Sequence, residues 1–236
     1  MPNAVRVTLG SVPLRAAFFL AAVAIVIGAA PVRAAEAADI PSSPAAAVPQ
    51  QAAAPQQAAA PQKETAPDAL VDGFHQELLA LMRNAAPFAE RESAIAPVIG
   101  DVFDIKSIAR VSLGRATWKS LDAQGREQFV GLLTELVSAT YASRFKSYNN
   151  QRFEVREVTS PKPGRHLVKT ELIRDGGETV TLDYYLNKNR VFNVVADGVS
   201  DLSLRRADYS AVIKKSGYDA LLADIEANIA DFRAED

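Results

Sequence analysis

The apolar residues of this chain change their spacing once, near residue 150, and that change limits the possible folds more than any other feature. Before it they recur every three or four positions, and after it every two. A period near 3.6 lines side chains along one stripe of a helix, whereas a period of two puts them on one face of a strand. Leu70, Phe74, Leu78 and Leu81, with Val71 and Met82 beside them, predict a first helix that starts at Pro67-Asp68 and is closed by Pro87. A second is expected over Glu90–Val102, disturbed at Pro97. Asp104 is placed to cap a third over Ile105–Leu113, with Gly114 as its stop. A long fourth helix, from about Asp122 to Tyr148 under a Ser120 cap, carries Phe129, Leu132, Leu133, Leu136, Val137, Tyr141, Phe145 and Tyr148 at helical spacing.

Beyond that point the pattern alternates. Phe153 and Val155 open a strand. Val168, Thr170 and Leu172 alternate with charged residues, and Val180, Leu182, Tyr184 and Leu186 do the same. Asp175-Gly176-Gly177 and Asn187-Lys188-Asn189 are turn signals between them. Val191–Ser200 reads as the last strand of a meander of about four. Two helices follow, Arg206–Lys215 stopped at Gly217, and Tyr218–Phe232 with Leu221, Leu222, Ile225 and Ile229 inside. Helices, then a meander, then helices define an α+β fold in which the helices cover the single apolar face of the sheet. Such a layer pair closes fully or encloses an apolar cavity, and composition does not choose between the two.

The first 67 residues have a different character. Met1–Arg15 holds two arginines, and Ala16–Ala30 is uncharged and strongly apolar, followed by Pro31 and Val32-Arg33-Ala34. An apolar run of about 15 residues suits a signal peptide, where a spanning helix needs about 20. Cleavage is expected after Ala34, with Ala35 and Ala37 as competing sites and an uncleaved anchor as the alternative. From residue 35 to 67 the chain is mostly Ala, Pro and Gln, holds six of the 13 prolines, and repeats QQAAAP at Gln50–Pro55 and Gln56–Pro61. That composition lacks the apolar content of a core and predicts an extended, unfolded spacer. The expected organisation is a signal peptide over 1–34, a linker over 35–67 and one folded domain over 68–236. Basic and acidic side chains number 26 and 28, and three of the basic ones precede Glu36. An acidic mature chain argues against a nucleic-acid partner. The absence of cysteine excludes disulfides, thiolate metal sites, a Cys nucleophile and a lipoprotein anchor. Export without cysteine fits a bacterial periplasm.

Chemistry-bearing motifs are missing. There is no GxxxxGK[ST], GxGxxG, GxSxG or HExxH. The two histidines, His75 and His166, fall in different elements. His75 is expected near the exposed side of the first helix, and both read as structural or solvated. Asp197 and Asp201 flank Gly198-Val199-Ser200, where turn and capping chemistry outweighs an acid–base pair. Arg205, Arg206, Lys214 and Lys215 form a small basic cluster on one helix, either a solvated face or a contact for an anionic headgroup or partner. No catalytic residue, metal or cofactor is expected.

Three stretches, in order, resemble one family. Phe103–Leu121 (FDIKSIARVSLGRATWKSL), Arg126–Tyr148 (REQFVGLLTELVSATYASRFKSY) and Asn193–Ile225, which contains Ala196-Asp197-Gly198-Val199-Ser200-Asp201-Leu202, are similar to the MlaC, or toluene-tolerance, group of periplasmic phospholipid-binding proteins. Asp197 stands where the commoner form has Glu, and Phe192 where many members have Trp. The Asp-Gly-Val-Ser-Asp-Leu wording most resembles the hopanoid-biosynthesis-associated (HpnM) branch.

The resemblance implies helices over a curved antiparallel sheet, a cone-shaped, NTF2-like arrangement with an apolar pocket between the layers. It further implies a carrier of phospholipid or hopanoid-type lipid, with acyl chains inside and the headgroup at the mouth. By the same resemblance, its partners are an inner-membrane ABC transporter complex and an outer-membrane lipoprotein complex. The periods then nominate pocket residues: Phe129, Leu132, Leu133 and Leu136 on the long helix, and Val155, Val168, Leu172, Val180, Leu182, Tyr184 and Val194 on the sheet. Each of these is equally an ordinary core position. Arg205, Arg206, Lys214 and Lys215 are the headgroup or partner candidates. Two other readings stand beside the carrier. One is an interaction module with a filled core. The other is a small hydrolase or isomerase built around Tyr184, Asp183 and His166.

Overall fold

A computed structural model describes residues 66–234 of the chain. The expected signal peptide and nearly all of the expected linker lie outside these residues. Among the described residues, six helices and a five-stranded antiparallel sheet follow the order expected from the periodicity.

α1 (Pro67–Asn84) begins with Pro at its first turn and Asp68 near its amino end, where the helix dipole favours a negative charge. α2 (Phe88–Val102) starts two residues earlier than expected, because Phe88 is buried and joins the core. It continues through Pro97, an exposed residue, instead of breaking there. α3 (Ile105–Ser120) is capped by Asp104, whose Oδ1 accepts from the Ser107 amide at 3.0 Å. Gly114 leaves the helix path at φ 75°, as a stop signal should, but the chain re-enters a helix and runs on to Ser120. α4 (Ala123–Arg144) is capped by Asp122, which accepts from the Gly125 amide at 2.7 Å. Ser120, the expected cap, donates instead to the Thr117 carbonyl at 2.8 Å.

α4 is shorter than its apolar pattern, ending at Arg144, and is the central helix of the layer. Every residue from Leu136 to Ser143 is buried, on all sides of the helix. Ser138, Ala139, Thr140, Ala142 and Ser143 are small, and that lets neighbouring helices approach. The hydroxyls of Ser138 and Thr140 are satisfied by donating to the carbonyls one turn back, at 2.9 and 2.7 Å. α4 packs against α2, α3 and α6.

The strands are β1 (Arg152–Lys162), β2 (Arg165–Ile173), β3 (Thr179–Asn187), β4 (Arg190–Ala196) and β5 (Val199–Ser200), paired in that order. The expected final strand is therefore two. Asp197 and Gly198, at φ 46° and 80°, turn the chain back on itself as a tight hairpin requires. Asp197 secures the turn by accepting from the amide and hydroxyl of Thr181, at 2.8 and 3.1 Å. Ser200 then caps α5 (Asp201–Ser216) through the Ser203 amide, so this helix starts five residues before the expected Arg206. Gly217, at φ 91°, separates it from α6 (Tyr218–Arg233).

Register follows the alternation. Val168 pairs with Tyr184 and Tyr184 with Val194, while Thr170, Leu182 and Ala196 form the next row. The opposite face carries Glu157, Lys169 and Asp183 in one row and Glu154, Glu171 and Thr181 in another. Its ion pairs, Lys169–Glu157 at 2.9 Å and Arg156–Glu171 at 2.5 Å, are exposed. α1 packs on β1 and β2, and α5, α3 and α2 pack on β4. The α2–α3 junction is fastened to β4 by the Asp104 amide, which donates to the Val191 carbonyl at 2.8 Å.

Candidate functional site

The sheet's inner face and the helices above it bury one continuous apolar cluster. Val168, Leu172, Val180, Leu182, Tyr184 and Val194, six of the sheet residues nominated from the sequence, all lie in it. Val155 does not. The register places it opposite Thr170, on the inner face, and Val158 opposite Val168. Yet the two valines are 38% and 40% exposed. The helix layer covers β2, β3 and β4 and stops short of this part of β1. A bulge at Arg156 keeps both valines on the same side.

The α4 candidates divide as well. Phe129, Leu133 and Leu136 are buried. Phe129 lies against the rings of Tyr209 and Tyr218, so its immediate neighbours belong to α5 and α6. Leu132 is half-buried and lines a surface groove of about 370 Å³ between α4 and α6, together with Glu135, Glu226, Ile229, Ala230 and Arg233.

His75 is the residue that sequence reasoning misplaced. It is fully buried, not near the exposed side of α1. Its Nε2 lies 3.0 Å from the Tyr184 hydroxyl, and its ring stacks on Phe153 with centroids 4.1 Å apart and planes 12° from parallel. Desolvation lowers its pKa from 6.5 to about 3, so the ring is neutral at ordinary pH. Burial likewise pushes the Tyr184 hydroxyl up. The other ring nitrogen, Nδ1, is buried without a hydrogen-bond partner. Leaving such a group unpaired costs about 1–3 kcal/mol. A signal for this placement was present: Val71, His75, Leu78, Leu79 and Met82 fall on one helical stripe, with His75 in its middle. Phe74, Phe103, Tyr141 and Phe145 pack edge-on or stacked around the same place. The neighbourhood is thus an aromatic cluster with a single polar seam.

The basic cluster separates into a buried member and three exposed ones. Arg205 is 1% exposed, donates to the Tyr209 hydroxyl at 3.1 Å and lies 3.4 Å from an Asp201 carboxylate oxygen. It holds α5 together from inside and is no surface group. Burial raises the Asp201 pKa, and the Arg205 charge partly offsets that rise. Arg206, Lys214 and Lys215 are exposed, and the two lysines sit in the last turn of α5, where a positive charge suits the helix dipole.

Enzyme-like constellations do not assemble. Asp183 and Tyr184 are consecutive in a strand and so occupy opposite faces. His166 meets Ser160 Oγ at 2.8 Å on the neighbouring strand. Asp197 is engaged by Thr181, and Asp201 by Arg205. Among the described residues, no group of three or more His, Asp or Glu is placed to hold a metal ion, and no helix is long and apolar enough to cross a membrane.

Comparison with known proteins places this arrangement. No curated protein matches the chain. A solved structure that does is the phospholipid-binding protein from Ralstonia solanacearum in complex with a phospholipid, 19% identical, covering 70% of this chain and 97% of its own, with a TM-score of 0.61. At that identity the likeness is one of fold. Residues 73–227, well over half of the 236, match the family model described as MlaC protein. They take in all of α2 to α5 and the whole sheet, with most of α1 and α6. The chain belongs to the MlaC protein family.

Proposed function

We propose that this protein is a periplasmic lipid carrier that holds the acyl part of one lipid between its sheet and its helices. The observation that carries this reading is the inner face of the sheet, largely apolar, covered along β2–β4 and 38% and 40% exposed at Val155 and Val158. An apolar surface that continues from a sealed interior to an open edge suits a ligand that must enter sideways. Family membership supports the same reading, as does the phospholipid held by the Ralstonia solanacearum protein of like fold.

The energetics suit a shuttle. Two acyl chains carry roughly 30 methylenes, worth about 25 kcal/mol against water at about 0.8 kcal/mol each. Release into water is therefore prohibitive. Transfer from one dry environment to another is nearly balanced, so delivery requires docking on a membrane complex. We assign those partners, by family, as an inner-membrane ABC transporter complex and an outer-membrane lipoprotein complex. The sequence of the first 67 residues, read as a leader and spacer, fits export to the space between them. The cargo is a phospholipid or a hopanoid-type lipid. No catalytic step is part of this function.

The test is to purify the full chain without detergent, from its native host and from a standard bacterial host, and to extract it for lipid mass spectrometry. Stoichiometric lipid is the expected result, and the difference between hosts identifies the class. Folded protein free of lipid from both hosts overturns the carrier and leaves an interaction module.

A further inference from the structure

Within that carrier reading, His75 has an atom that neither the fold nor the helix layer uses. The neutral imidazole offers one acceptor and one donor. Its Nε2 faces the Tyr184 hydroxyl at 3.0 Å. Of the two groups, the phenol is the stronger donor and the imidazole nitrogen the stronger acceptor, so Tyr184 donates to Nε2 and the ring proton sits on Nδ1. That N–H is fully buried and unpaired. An acceptor placed there would recover the cost of leaving it unpaired.

Its position narrows the acceptor's chemistry. His75 lies flat on Phe153, two residues from Val155 on the same face of β1. It thus stands where the covered part of the inner face gives way to the bare valines. A diacyl lipid with its chains beneath the helices and its headgroup outside would carry its ester carbonyls at such a boundary, since they join the apolar chains to the polar headgroup. A carbonyl oxygen accepts and does not donate, as this site demands. We infer that the His75 Nδ1–H is the hydrogen-bond donor for an acyl ester carbonyl of the bound lipid, held in place by Tyr184 behind it and Phe153 beneath it.

The test offers the full chain a choice. Mixed vesicles contain equal amounts of dioleoyl phosphatidylglycerol and its dialkyl ether counterpart, which has the same headgroup and chain length but no carbonyl. Lipid taken up is counted by mass spectrometry. The wild type is expected to prefer the ester roughly five-fold, the factor given by one net hydrogen bond of ordinary strength. In the His75→Phe/Tyr184→Phe double variant, which removes both partners without leaving either unpaired, the preference falls to about one. Should that variant fail to fold, nitrogen-15 spectra of the wild type decide. The His75 Nδ1–H signal must move on loading with the ester and stay in place on loading with the ether. A wild type that takes up both lipids equally, or a signal indifferent to the ester, overturns the assignment while leaving the carrier standing. A wild type that takes up neither lipid overturns the carrier and the assignment with it.

Discussion

The inner face of the sheet is one surface with two fates. Along β2 and β3, Val168, Leu172, Val180 and Leu182 vanish beneath the helices, none more than 3% exposed. Along β1, Val155 and Val158 point the same way and stay 38% and 40% exposed. Their side chains are no less apolar, and the alternation that places them is the same. The difference is that α1 runs over the start of β1, where Phe153 meets His75, and among the described residues no helix covers the two valines beyond it. Burial is therefore a property of the covering layer and not of the strand. A residue contributes to stability where the cover exists and is available for binding where it ends.

Four experiments bear on this contrast. The largest effect is expected from Leu182→Asp, which places a charge beneath the helices with no partner to receive it, whereas Val155→Asp places the same charge in water. The first should abolish the cooperative thermal transition. The second should leave it within about 0.5 kcal/mol of wild type in urea titration while lowering co-purified lipid. If both variants fold equally well, the division of the inner face is wrong.

Arg205→Ala comes next. It strips the buried guanidinium from Tyr209 and Asp201, and is expected to cost about 2–3 kcal/mol, below the figure for a fully buried pair because Asp201 remains partly open to solvent. A loss near zero would return Arg205 to the exposed cluster.

The third is pH. His75 titrates near 6.5 when unfolded and near 3 when folded. Between those values the unfolded chain binds the extra proton, so stability must fall as pH drops below about 6.5, by at most about 1.4 kcal/mol per pH unit from this group. Urea midpoints measured at pH 7, 6, 5 and 4 should slope less in the His75→Phe/Tyr184→Phe variant. Parallel slopes would place the ring in solvent, on the open side of the contrast.

The smallest effect belongs to Val158→Ser. Unfolding should shift by a few tenths of a kcal/mol, since only a partly exposed methyl pair is lost. A loss above about 1 kcal/mol would reveal a cover over β1.

Much of this architecture was legible because it rests on local rules. The turns between β2 and β3 and between β3 and β4, the Asp104 cap and the stop at Gly217 each depend on a few adjacent residues, and each stands where the sequence puts it. The errors arose where a local rule had two candidates or where distant parts of the chain compete. Asp122 displaced Ser120 as the α4 cap because both residues are competent and the helix has one start. Asp197 and Gly198 divided the last strand because Thr181, on a neighbouring strand, rewards the turn. His75 was misplaced because a polar residue is ordinarily solvated, even though its position lies within the apolar stripe of α1. Its partner, Tyr184, is 109 positions away. Arg205 was read as surface for the same reason, since its cover comes from the fold around α5.

The sequence by itself determined the elements, their order, the α+β class and the alternation that makes one face of the sheet apolar, because periodicity and turn chemistry act over a few residues. Tertiary structure alone decided which stretch of that face the helices seal, which polar atoms are carried into the interior, and which of them find partners there. Those outcomes depend on how far each helix reaches across the sheet, and reach is set by the packing of whole layers.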